Sequence, residues 1–117
     1  MRMTTIKAKV KHGEKEIETE FLIDSGATYT ALSEKVWKKL GLRPKKEIGL
    51  ILADGRKIKR NISECRIEIS PYGEFATPVI LGERGDVNLL GIITLEIFGL
   101  ILDPLKRKLL PIKAYMV

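Results

Sequence analysis

A mainly β fold with one or two short helices is the class this sequence predicts, and three observations carry it. Apolar and polar residues alternate through most of the chain, Gly- or Pro-containing pairs such as His12-Gly13 and Asp54-Gly55 punctuate that alternation, and only two short segments change to a helical period. At 117 residues and 44% hydrophobic, the chain fits a single domain spanning 1–117, able to bury roughly two-thirds of its unfolded surface.

The elements follow in order. "TTIKAKV" and "KEIETEFLID" alternate around His12-Gly13, which predicts a β-hairpin with one buried face. "LSEKVWKKLGL" predicts a helix: Leu32, Val36, Trp37 and Leu40 share a face, Ser33 stands at the N-cap, Lys38 and Lys39 suit the C-terminal dipole, and Gly41 suits a left-handed stop. "EIGLILADGRKIKRNI" returns to strand character, with Asp54-Gly55 as a tight turn between two arms. "ECRIEISPYGEFATPVIL" predicts two more strands about Pro71-Tyr72-Gly73. "NLLGIITLEIFGLILDPLKRKLLP" gives an apolar run, a helix from about Thr94 to a stop at Gly99, and a last hairpin turning at Asp103-Pro104. The two halves echo each other: an apolar strand, a glycine, then a helix ending "LGL" or "FGL".

Composition excludes several functions. No apolar run is long enough to span a bilayer, and the first 18 residues lack the apolar core of a secretory signal, so a soluble cytoplasmic protein is expected. Asn61-Ile62-Ser63 is then a chance match to the glycosylation triplet. One cysteine, Cys65, and one histidine, His12, build neither a disulfide nor a zinc cluster, and no metal or cofactor is implied. The net charge of +6 raises the question of nucleic acid. The basic residues are scattered in "KVWKKLG", "RPKKE" and "GRKIKR" without interleaved aromatics, so solvated faces account for them. Absence of Gln and abundance of Lys, Glu and Ile match the bias of heat-adapted proteins.

The stretch "FLIDSGATYTALS" runs an apolar strand into Asp24. By itself Asp-Ser-Gly makes a good turn, its carboxylate bonding its own backbone. Serine nucleophile chemistry is not supported, because the sole imidazole, His12, lies in the first hairpin with no third group implied.

Over a longer span, "FLIDSGATYTALSEKVWKKLGL" resembles the active-site segment of retropepsin-like aspartic proteases, in the form with a helix ending "LGL" that cellular, here prokaryotic, relatives carry. "EIGLILADGRKIKR" stands where that family has its flap hairpin, and "NLLGIITLEIFGLILDP" resembles its paired apolar residues and glycine before a C-terminal helix. The resemblance implies a closed acid-protease β-barrel, active as a two-fold homodimer. It implies Asp24 as the catalytic carboxylate, Ser25 bracing the two active-site turns across the axis, Gly26 allowing close approach, Ala27 packing beneath the cleft and Thr28 beside it. Leu52, Ala53, Asp54, Gly55 and Arg56 would form the flap tip, and Leu89, Leu90 and Gly91 the second-half segment. Peptide hydrolysis by this route needs two carboxylates sharing one proton, and the chain has one such motif, so a second copy would supply the other.

Two features depart from the retroviral pattern. Thr28 and Ile92 stand where many members have an Asp–Arg ion pair; both charges are missing together, so none is stranded. The flap has Asp54-Gly55-Arg56 where retroviral enzymes have a glycine-rich tip. The leading expectation is a homodimeric endopeptidase that binds an extended peptide by strand addition. The same fold used as an inert peptide-binding or dimerisation module is the alternative, and a basic nucleic-acid binder a third.

Overall fold

The computed structural model describes residues 3–112. Strands β1 (Thr5–His12) and β2 (Lys15–Ile23) form the first hairpin in full register, from Thr5 opposite Leu22 to His12 opposite Lys15. The turn is therefore Gly13-Glu14, one residue later than the sequence suggests, with Gly13 at φ 59°. Positive φ at the first of two turn residues is the type II′ arrangement, which matches strand twist.

β3 (Thr30–Leu32) leads to helix α1 (Glu34–Leu40), which stops at Gly41 in the left-handed conformation. Ser33 occupies the N-cap through its carbonyl, which accepts from Val36 and Trp37 N–H, and its side chain makes no cap bond. Val36 and Leu40 are buried, while Trp37 is half-buried and donates its Nε1–H to the Gly82 carbonyl at 2.8 Å.

β4 (Lys46–Ile51) pairs with β5 (Lys57–Ile69), a single strand of 13 residues. Sequence patterning divides this segment into separate strands, because polar Asn61, Ser63 and Glu64 interrupt the apolar alternation. Pairing overrides it: the N-terminal part of β5 meets β4, and its remainder meets β6 (Gly73–Leu81).

β7 (Leu89–Leu90) precedes helix α2 (Ile92–Phe98), and α2 ends at Gly99 with φ 67°. The helix begins two residues before the expected Thr94, because extended Gly91 already accepts the Leu95 N–H at 3.1 Å. β8 (Leu100–Asp103) and β9 (Lys108–Pro111) form the last hairpin.

The large sheet runs β1-β2-β7-β3-β6-β5-β4, and an extra pairing of β1 with β5 closes it into a barrel. β4 stays outside the ring as an arm on β5. Inside lie Val10, Phe21, Leu32, Ile67, Val79, Leu90 and Leu95, all essentially inaccessible to solvent. The two halves meet where β7 is parallel to β2 (Leu22 opposite Leu89) and antiparallel to β3 (Ala31 opposite Leu89). Each half sends its short strand into a seven-residue helix that ends at a left-handed glycine.

Candidate active site

β2 delivers Asp24 to the end of the barrel, where the chain leaves the sheet for a tight loop before β3. Asp24 is half-buried and Ser25 and Gly26 are exposed. The Asp24 carboxylate accepts the Gly26 N–H through Oδ1 at 2.9 Å, and its carbonyl accepts the Ala27 N–H at 3.0 Å. The loop thus fixes one carboxylate oxygen by its own backbone and leaves Oδ2 without a hydrogen bond among the described residues.

The second half holds this loop by backbone. Asp24 N–H donates to the Leu90 carbonyl (3.1 Å), Ile92 N–H to Ala27 (2.8 Å), and Ile93 N–H to Thr28 (3.0 Å). Thr28 and Ile92, which lack the charged side chains of the retroviral pattern, therefore belong to segments joined without any ion pair. Gly91 is buried at the centre of the join, and its N–H donates to Thr30 Oγ1 at 3.0 Å. A Cβ there would fall 2.4 Å from Tyr29 backbone atoms, so only glycine fits.

Beneath the loop lie Thr30, Thr77 and Thr94, three fully buried threonines from β3, β6 and α2. Thr30 Oγ1 donates to Thr94 Oγ1 at 2.6 Å, and Thr94 and Thr77 hydroxyls are 2.8 Å apart. Asn88 forms a second clip: Oδ1 accepts the Ser33 N–H at 2.8 Å, while Nδ2 donates to Thr19 Oγ1 and the Glu20 carbonyl.

The tip of the β4–β5 hairpin is a three-residue loop, not the tight two-residue turn that Asp-Gly suggests. Gly55 N–H donates to the Leu52 carbonyl at 2.9 Å over Ala53 and Asp54, neither of which has positive φ. Gly55 then takes φ 86°, and Leu52 N–H meets the Arg56 carbonyl at 2.8 Å. That is a type I turn with a glycine bulge. Asp54 stiffens it, accepting the Arg56 N–H and Nε–H. Ile48, Leu50, Leu52 and Ile58 line one face of the arm, half-buried, and the tip's hydrogen bonds are made within the hairpin.

The strongest charge cluster lies elsewhere. Lys11 Nζ sits 2.7 Å from Glu68 and 2.6 Å from Glu74, and Arg66 Nε is 2.7 Å from Glu74. Hydrogen bonds to Glu68 and Glu74 raise the Lys11 ammonium well above its ordinary range. Its bond to Lys11 lowers the Glu68 carboxyl, and bonds from Arg66 and then Lys11 lower that of Glu74. A cavity of about 610 Å³ opens beside this cluster and is lined by His12, Arg43, Lys45 and Cys65 among others. It shares no residue with the Asp24 loop or the hairpin tip. Burial pushes the Cys65 thiol up to about 12.

The family model described as "gag-polyprotein putative aspartyl protease" matches residues 8–96, from β1 into α2. The chain belongs to this retropepsin-like aspartyl protease family. Among solved structures, it is similar to EIAV protease complexed with the inhibitor HBY-793, at a TM-score of 0.64 and 17% identity over 84% of this chain and 89% of that one. At that identity the likeness is one of fold. No curated protein sequence matches the chain.

The retropepsin-like match spans the Asp24 loop, the β4–β5 hairpin and the Leu89–Gly91 segment. The structure brings Asp24, Ala27 and Thr28 together with Leu90 and Gly91, and places Leu52–Arg56 at the tip of a separate arm. Sequence reasoning missed Thr30, Thr77, Thr94 and Asn88. The signal for Thr94 was present, as the one hydroxyl in the otherwise apolar stretch "IITL".

Proposed function

We propose that the protein is an aspartic endopeptidase whose active site is assembled from two copies of the chain, each contributing Asp24. The observation that carries this reading is the Asp24 loop itself. A half-buried carboxylate with one oxygen fixed by Gly26 N–H and the other without a partner stands at the barrel end of an aspartyl-protease family member. Ser25, exposed beside it, is free to bond across a two-fold axis.

In the assembled site one carboxylate takes a proton from a water as its oxygen bonds to the scissile carbonyl carbon, and the other donates its proton to the carbonyl oxygen. Breaking the C–N bond then passes a proton to the amine. The substrate is an extended peptide, held by strand addition between the Leu52–Arg56 tip and the active-site floor.

Mixing with inactive chains tests the shared site. Specific activity should fall on dilution through the dimer dissociation constant, and an excess of exchanging Asp24→Asn chains should poison the wild type. Constant specific activity of a monomer on dilution overturns the two-chain site. A dimer that binds extended peptides without cleaving them supports the inert-module alternative, for which the missing charges at Thr28 and Ile92 speak.

A further inference from the structure

The three buried threonines hold a proton order that the backbone geometry dictates. Thr30 Oγ1 accepts the Gly91 N–H at 3.0 Å and donates to Thr94 Oγ1 at 2.6 Å. Thr77 Oγ1 donates to the Pro78 carbonyl at 3.3 Å, so the 2.8 Å contact between Thr94 and Thr77 is filled by the Thr94 proton. Each hydroxyl has one hydrogen and each is used once: Gly91 N–H to Thr30, Thr30 to Thr94, Thr94 to Thr77, Thr77 to Pro78. All three residues are 0–1% exposed, out of reach of bulk water.

Valine would fill the same volumes at Thr77 and Thr94 with no polar atom to satisfy. Hydroxyls there serve to orient one another, and the head of the chain is the Gly91 amide. The neighbours of Gly91 hold the Asp24 loop at both ends, through Leu90 to Asp24 and through Ile92 and Ile93 to Ala27 and Thr28. Rotation of Thr30 would release Gly91, and any shift of Gly91 is transmitted by those bonds to the carboxylate.

We propose that Thr94 is a positioning residue for the reaction, the central link of a buried Thr30–Thr94–Thr77 hydroxyl chain that sets the orientation of the Asp24 loop through Gly91. This role rests on the protease reading only for its kinetic consequence; the orientation of the loop is observable without turnover.

Thr94→Val removes one oxygen and keeps the shape. In the folded variant, kcat should fall about 10- to 100-fold with KM changed less than about 2-fold, the loss expected of a misplaced reacting group. The pH–rate profile should move, and Thr94→Ser should restore both. Gly91 and Gly26 amide resonances, read by NMR at fixed pH, should shift in Thr94→Val and return in Thr94→Ser, with Gly91 losing hydrogen-exchange protection. Wild-type kcat and pH profile in Thr94→Val, with both amides unmoved, overturn the proposal. If wild type cleaves no peptide, the protease reading fails, and the amide shifts alone decide the positioning role. If Thr94→Val does not fold, Thr77→Val decides: it removes the last hydroxyl in the chain, the acceptor of the Thr94 proton, and should shift the same two amides, and its failure to do so overturns the chain.

Discussion

Gly91 and Tyr29 are in backbone contact: a Cβ on Gly91 would stand 2.4 Å from the Tyr29 carbonyl carbon and its oxygen. The φ of Gly91 is −96°, a value any residue adopts, so space alone reserves the position for glycine. Gly91→Ala must push β7 away from the Asp24 loop and strain bonds to Leu90, Ala27 and Thr28 together. The expected loss is about 3 kcal/mol or more in urea denaturation, at the upper end for overpacking. A variant within about 1 kcal/mol of wild type would show that the two backbones separate easily.

Gly55 poses the opposite case. Its φ is 86° and nothing lies within 4 Å of an added Cβ, so conformation alone reserves it. Gly55→Val should cost about 1–2 kcal/mol locally, because a β-branched residue resists the left-handed region, while Gly55→Asn should be tolerated. Since the strain falls on the arm and not on the barrel, peptide KM and kcat should suffer more than the melting temperature. Equal kinetics for the Val and Asn variants would remove the tip from substrate binding.

Asp24→Asn preserves the oxygen that accepts the Gly26 N–H and removes only the ionisable group. Turnover should drop on the order of 1,000-fold or more, while stability changes by less than about 1 kcal/mol at this half-buried site. Peptide cleavage at the wild-type rate would eliminate Asp24 as the catalytic carboxylate.

The Lys11 cluster sets the acid behaviour. Glu68 and Glu74 have lowered pKa values when folded, so their contribution is complete above the ordinary carboxylate range and is lost as pH falls through the folded values. Lys11 is raised, so its share is lost only in strong alkali. Wild type should therefore lose stability between neutral pH and about pH 3 more steeply than Lys11→Met, in which Glu68 loses the partner that lowers it most and Glu74 keeps only Arg66. Parallel urea midpoints against pH in the two proteins would contradict this.

How much of this was legible in the sequence depended on whether the determining contacts were local. The first hairpin, both glycine helix stops and the Asp24 turn rest on neighbours in sequence, and each was readable. The turn type at Asp54-Gly55 was not, because two- and three-residue loops share that dipeptide and the register of Ile51 against Lys57 decides between them. The unbroken length of β5 depends on partners on both sides. Thr30 and Thr94 are 64 positions apart, and nothing in either local pattern names the other. Barrel closure brings them together.

Cys65 is the chain's one cysteine and is 4% exposed, with its thiol pushed up to about 12. Buried and with its thiol raised, it presents little of the thiolate that reacts with maleimides or methanethiosulfonates. A cysteine introduced at exposed Arg56 is then chemically alone, without first deleting the native one. Spin labels placed there would report the span between two hairpin tips in any paired assembly, and whether added peptide narrows it, in a protein otherwise left as it is.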